Sequence, residues 1–409
     1  MINHVVIIAI QGISTFLISG VVCPAIFAAE TGTDQQTQNE IERFPIERDC
    51  VILVPVTVFG KEERFLIGTG GTTIVLDKRT FEERLGKPVN TVVATDALTP
   101  LRIPLFRRPP IIVGGRSSFA TEDGGLIGCI DLSPLNKHYG KDISGAIGMD
   151  FLKSKVLRVD FGSGYASFLK EPSNAFAESE RLSFLNTGSP SIRVQVADSG
   201  FHTFMVDTGF NGSLALEPGL FGKLLKTKQI ELRENGRAID LGGGGKTKLR
   251  RGILSSVAVG SFQICNVNVN ETPINTVGLA FLERFVSEFD FPNRKLFLYR
   301  NKLTNLPEPR TLCGFGVARV NQLTVVDDVD DPARDAVVQK DDVILTVNDT
   351  PADRLSLSKI RILCTVPDSK LKLTLQRDGV RFDVALDLKR IPDPFPSVVS
   401  EENAIPSGK

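Results

Sequence analysis

Residues 203–216, TFMVDTGFNGSLAL, set a carboxylate, Asp207, between an apolar pair and a Thr208-Gly209 step. Residues 64–77, RFLIGTGGTTIVLD, repeat the frame 139 positions earlier, so that Phe65, Thr69 and Gly70 fall on Phe204, Thr208 and Gly209. At one position the copies differ: Gly68 stands where the second copy has Asp207. An Asp at the end of a strand can activate a water. A Thr hydroxyl beside it can lock the loop by hydrogen bonds, and a Gly lets two backbones approach closely. Two such carboxylates at contact distance cannot both ionise, so one serves as base while the other, still protonated, polarises a carbonyl. That is acid/base hydrolysis of a peptide bond, and here one of the two acids is missing.

Each motif needs a strand to deliver it. VILVPVTVFG followed by ERFLIGTG, and PSIRVQVADSG followed by HTFMVDTG, both read as strand, Gly-containing turn and second strand. A further matching pair closes each copy. Residues 146–169 lie over 276–299 with Gly148 on Gly278, Phe151-Leu152 on Phe281-Leu282 and Asp160-Phe161 on Asp290-Phe291, now at an offset of 130. Two features in the same order imply an internal duplication. The lobes span 50–172 and 182–302, with lobe 1 degenerate at Gly68. Asp77 and Asp150 are read as opening the helices KRTFEERLG and MDFLKSK, not as substitutes for the missing acid.

The flanks divide by composition. Residues 1–29 carry no Lys, Arg, Asp or Glu and include an apolar run from Val5 to Val22, which reads as an export signal or a membrane anchor. Residues 30–49 are polar and aperiodic, the pattern of a linker. The prolines of NLPEPR (305–310) mark a boundary. Beyond them 312–390 holds a helical stretch, RLSLSKIRILCTV, and two strands joined by an RDG turn. Residues 391–409 read as a flexible tail.

Composition excludes several classes. Lys plus Arg equals Asp plus Glu at 48 each, so no basic stripe points to nucleic acid. Only His4, His138 and His202 occur, leaving little for a metal site or a Ser-His-Asp triad; no metal and no cofactor are expected. The six Cys form no C-x-x-C pair; Cys23 lies in the leader, and the other five read as buried free thiols. DLGGGGKTKL (240–249) carries Gly-Lys-Thr, but Asp240 stands where a phosphate loop needs its first Gly, and the sequence after it does not read as a helix. It is read instead as a flap hairpin with Gly242, Gly243, Gly244 and Gly245 at its tip.

FMVDTGFNGSLAL, with the paired apolar-Gly features AIG (146–148) and VGL (277–279), resembles the bacterial retropepsin-like aspartic peptidases. The resemblance covers both lobes. It implies a mostly β fold of two acid-protease lobes of closed-barrel type, with Asp207 catalytic and Thr208 and Gly209 supporting it. It also implies a partner loop at Gly68, Thr69 and Gly70 and a flap lying over a bound extended peptide. Residues 312–390 resemble a PDZ domain, an α+β unit. There Gly314, Phe315, Gly316 and Val317 would hold the terminal carboxylate of a peptide or protein, although Lys340-Asp341-Asp342 departs from the usual Gly-Asp.

Three functions stay open. One is an exported endopeptidase, periplasmic or extracellular, active through a homodimer that brings two copies of Asp207 together or through a rearranged site. Another is a pseudo-peptidase that binds peptides without cutting. The last is a scaffold in which the PDZ-like unit is the working part. A tethered partner lobe has an effective concentration of about millimolar, which favours pairing within the chain over micromolar dimerisation by roughly 10³.

Overall fold

The computed structural model describes residues 39–95, 100–114, 125–173, 179–185, 189–233, 238–240, 246–248, 250–304, 306–329 and 337–396 of the chain. Alternation in the sequence becomes alternation in burial. In the strand Leu53–Val58, Val54, Val56 and Val58 are buried while the residues between them are half-buried. The chain is mostly β.

Lobe 1 runs β1 (Glu40–Pro45), β2 (Leu53–Val58), β3 (Lys61–Ile67), β4 (Val75–Asp77), α1 (Lys78–Leu85), β5 (Asn90–Thr95), β6 (Pro100–Arg107), β7 (Ile111–Val113) and β8 (Leu126–Ile130). It finishes with α2 (Ser133–Tyr139), β9 (Gly145–Ile147), α3 (Met149–Leu152), β10 (Val156–Asp160) and β11 (Tyr165–Leu169). Lobe 2 repeats the series as β12 (Glu180–Ser183), β13 (Ser191–Val196), β14 (Phe201–Val206), β15 (Leu214–Leu216), α4 (Pro218–Lys226), β16 (Ile230–Leu232), β17 (Ala238–Asp240) and β18 (Lys246–Lys248). It continues with β19 (Arg251–Val259), β20 (Phe262–Glu271), β21 (Thr276–Val277), α5 (Leu279–Leu282), β22 (Phe285–Asp290) and β23 (Lys295–Arg300).

In lobe 2 the order β13-β14-β21-β15-β20-β19 closes on itself through the pairing of β13 with β19, giving the expected barrel. In lobe 1 the sheet order is β5-β6-β8-β4-β9-β3-β2-β7, with no closing pair among the described residues. Its β7 pairs with β2 over three residues, as β19 pairs with β13 over two. One further element breaks the symmetry. Between the partners of the motif strands lie residues 128–147 in lobe 1 but only 269–277 in lobe 2. The surplus carries α2, which has no counterpart in lobe 2.

A six-stranded sheet, β1-β11-β10-β22-β23-β12, joins the lobes. At its centre Arg158 on β10 stands opposite Glu288 on β22, its own duplicate. A local two-fold axis therefore passes between them, and their side chains form an ion pair at 3.8 Å with Glu288 fully buried. The first strand of each lobe, β1 or β12, flanks this sheet. Residues 39–49 are thus structure, not linker: Phe44 packs in the core and Asp49 is buried. Short polar strands lack the apolar content that would reveal them; the ladder to β11 supplies what their side chains do not.

The third unit has its own core and comprises β24 (Phe315–Val320), β25 (Leu323–Val329), β26 (Val343–Val347), β27 (Thr350–Pro351), α6 (Leu357–Leu363), β28 (Ser369–Arg377) and β29 (Val380–Leu388). Its sheet order is β24-β25-β26-β28-β29, with β27 on β26 and α6 against β24. Ser356 caps α6 by accepting from the Lys359 amide. Asp378 and Gly379 both take positive φ (50° and 81°), as the predicted two-residue hairpin requires.

The boundary before this unit is fixed in place. Glu308 is buried and accepts from the Asn268 amide at 2.9 Å. The start of the tail is held too, by Arg310 on the Pro392 carbonyl (2.5 Å) and by a two-way hydrogen bond between Asn266 and Phe395. Among the described residues no helix is long and apolar enough to cross a membrane. Residues 1–29 lie outside the described residues.

Gly148 and Gly278 sit behind the two motif loops. A Cβ on Gly148 would lie 2.5 Å from the Thr73 carbonyl oxygen, and one on Gly278 would lie 2.2 Å from that of Gly212. Both obstacles are backbone and cannot rotate away. Gly148→Ala and Gly278→Ala should each cost about 3 kcal/mol or more, measured by urea denaturation. A loss below about 1 kcal/mol would show that the loops are not packed this way.

Candidate active site

Strands β3 and β14 bring their loops to the two-fold axis, where each threonine is used twice. The Thr69 hydroxyl donates to the Val206 carbonyl and the Thr208 hydroxyl to the Ile67 carbonyl, both at 2.7 Å. In return the Thr69 amide donates to Thr208 Oγ1 (3.2 Å) and the Thr208 amide to Thr69 Oγ1 (3.0 Å). Both threonines are fully buried. The amides that follow each strand are anchored alike, Gly68 on the Ile147 carbonyl and Asp207 on that of Val277. The pairing that the sequence left open between one chain and two is made within this chain.

Gly68 therefore faces Asp207 across the axis. Asp207 Oδ1 accepts from its own loop, Gly209 N at 2.7 Å, and from the opposite loop, Gly70 N at 2.9 Å. Asp207 Oδ2 is buried and has no hydrogen-bond partner, and the residue is 1% exposed. Burial pushes the carboxyl up to about 6, against the lowering by the two amide donors. No second carboxylate contributes to that shift. The close approach is specific to glycine at position 70, where a Cβ would lie 2.5 Å from the Asp207 carboxyl carbon. At Gly68 the space is freer: a Cβ would meet only Leu66 Cδ1 at 3.3 Å and Gly209 Cα at 3.9 Å.

The two lobe 1 aspartates weighed above as substitutes for the missing acid are engaged elsewhere. Asp150 pairs with Arg108 at 2.5 Å and accepts from the Thr73 hydroxyl. Asp77 accepts from the Leu132 amide and Thr80 and pairs with Arg79 at 3.3 Å. Asp77 does precede α1, as predicted, and Asp150 lies in the first turn of α3, which is only four residues long. A single carboxylate is left to act as a base once ionised, with no acid beside it to protonate a leaving group.

The remaining sequence-predicted positions separate. Residues Ala238–Asp240 and Lys246–Lys248 pair as a hairpin, so Lys246 and Thr247 lie on a strand and not at the start of a helix. The tip residues Gly242, Gly243, Gly244 and Gly245 lie outside the described residues. Phe315, Gly316 and Val317 are buried in β24, with Gly314 at φ 77° before them. The carbonyl of Val317 accepts from Arg361 on α6 at 3.1 Å.

Arg361 and its partner Asp49 were not legible beforehand. They form a fully buried ion pair at 3.3 Å across 312 residues of sequence, and no spacing rule joins them. The five described cysteines are free thiols, four of them buried as expected and Cys265 only half-buried; Cys23 lies outside the described residues.

No family model matches the chain, and no curated protein matches it. Among solved structures it is similar to an aspartic proteinase from Irpex lacteus, at a TM-score of 0.39 and 15% identity, over 65% of this chain and 99% of that one.

A buried carboxyl with a raised pKa opposes folding when ionised. Between about pH 4 and 6 the folded protein holds the Asp207 proton and the unfolded chain does not, so this group's contribution falls as pH rises through that window. A shift of about two units is worth roughly 3 kcal/mol. Asp207→Asn should therefore stabilise the protein at pH 7 by about 2–3 kcal/mol while leaving it little changed near pH 4, as read by thermal melts across the series. Equal effects at both pH values would contradict a buried, uncompensated acid.

Proposed function

We propose that this chain is an aspartic-peptidase-like protein that binds extended peptides between its two lobes and does not cleave them. The observation that carries the reading is the in-chain loop pair: the threonine hydrogen bonds place Gly68, not a second acid, opposite Asp207. The Gly70 amide, with no carboxylate in its own loop, is turned onto Asp207 instead. One acid/base group contributes roughly 10²–10⁴-fold to such a reaction, and this site lacks one of its pair. The hairpins β5–β6 and β17–β18, at matching places in the two lobes, support peptide binding, since a strand edge recognises extended backbone without regard to side chain. On this reading the apolar first 29 residues direct the chain out of the cytoplasm, where its peptides are met.

The dimeric peptidase is disfavoured by the same contacts. A trans pair of lobe 2 copies would have to break the loop pair and the β10–β22 ladder, both of which already join the lobes.

Restoring the acid tests the proposal directly. Gly68→Asp, alone or with the third unit loosened by Asp49→Asn/Arg361→Met, should gain cleavage of a peptide library at acid pH by at least about 10²-fold over the same chain with Gly68, and the gain should vanish when Asp207→Asn is added. The unaltered protein should show no Asp207-dependent cleavage at any pH. Cleavage by the unaltered protein that is lost in Asp207→Asn and linear in enzyme concentration would instead make it an active single-acid peptidase.

A further inference from the structure

Helix α2, the element without a counterpart in lobe 2, stands between the candidate site and the third unit. On one side Leu135 and Tyr139 of α2 share an apolar cluster with Leu66, two residues before Gly68, and with Ile103 and Leu105 of the hairpin strand β6. Cys50 and Val51, from the segment after β1, complete the same cluster. Tyr139 is fully buried; its phenol is pushed well up, chiefly by burial and next by Cys50 and Asp49, and the charge of Asp207 adds to the shift. Leu66 carries this cluster to the site, since its Cδ1 lies 3.3 Å from where a Cβ on Gly68 would stand.

On its other side α2 packs on β24, the edge strand of the third unit, and α6 packs on β24 as well. Arg361 of α6 donates to the His138 carbonyl at the end of α2 and pairs with the buried Asp49. Ser358 of α6 donates to the Arg48 carbonyl. Gly140, which ends α2 at φ 62°, sits so close that a Cβ there would lie 3.0 Å from Leu357 and 3.4 Å from Arg319. Lys137 pairs with Asp327 of β25 at 2.8 Å. The face of β24 and α6 is therefore filled by this chain's own α2 and by its segment 48–50.

We propose that the third unit is an autoinhibitory clamp: seated on α2 and on segment 48–50, it holds closed the lobe 1 half of the cleft over Asp207, and unseating it opens that cleft. Two of the pieces that pack over Leu66 and the base of β6 are the same two that α6 grips. A ligand competing for the β24–α6 face has to displace both. The occluded Asp207 is then a property of the docked state and not of the lobes alone. The inference takes the cleft beside Asp207 as the peptide site proposed above, but its test reads accessibility and does not depend on peptide binding or cleavage.

Carbodiimide labelling of Asp207 in the full chain, located by mass spectrometry, is compared with regional hydrogen exchange. Two variants unseat the clamp by different routes: Asp49→Asn/Arg361→Met, which removes the buried ion pair without stranding either charge, and Lys137→Asp, with Lys137→Asp/Asp327→Lys as its charge-restoring control. Both should speed Asp207 labelling and exchange in residues 100–107 and 133–139 by at least tenfold, while the β28–β29 hairpin and β13–β14 stay protected. The control should return all three to the rates of the unaltered protein. The clamp is refuted if Asp207 labelling stays unchanged while exchange shows α2 released from β24. It is equally refuted if labelling rises only where lobe 2 or β28–β29 also loses protection, since that reports unfolding and not opening.

Discussion

Four hydrogen bonds between Thr69 and Thr208 and the backbone around them set the frame of this molecule. They are buried, reciprocal and made between duplicated residues, so they place the axis that relates the lobes. The same axis passes between Arg158 and Glu288 in the shared sheet, on a second pair of duplicates. With two such points fixed, the lobes have little freedom to slide, and whatever stands at position 68 must face whatever stands at 207. Loss of a carboxylate at position 68 thus changes the chemistry without disturbing the pairing. Threonine hydroxyls and peptide groups hold the loops together; the acids are not needed for it.

The electrostatics follow from that vacancy of charge. In a two-acid site each carboxylate raises the pKa of the other, whereas here burial alone raises that of Asp207, with both loop amides converging on a single oxygen. The result is an acid poised near neutrality with no partner to exchange a proton. Retaining such a group costs stability at neutral pH, which a chain with no use for it could avoid through an amide in its place.

The third unit and the segment before lobe 1 are coupled to this centre through burial. Asp49 lies in the strand-flanking segment and Arg361 lies on the last helix, yet each is the other's counter-ion in a dry setting. Breaking one side of such a pair leaves a stranded charge, a loss of roughly 3–5 kcal/mol, so the pair specifies how the unit is seated. The rigid connection through Glu308 and the return of the tail to Asn266 support the same seating from the lobe 2 side.

Much of this was legible in the residues. The duplication, the two motif loops, the strand-rich lobes, the β17–β18 hairpin and the Asp378-Gly379 turn all rest on local patterns of period two, on glycine's backbone freedom and on repeated spacing. These are properties a chain carries residue by residue. Two things were not legible: that β1 is a strand of the shared sheet, and that α2 and Arg361 bind the third unit to lobe 1. Each depends on partners far away in sequence, as Asp49 and Arg361 are, and no local pattern encodes such a partner. The sequence alone determined which acid is present and which is absent. Only the tertiary structure decided that the absent one would have faced Asp207 within the same chain, because that meeting is set by hydrogen bonds across 139 residues.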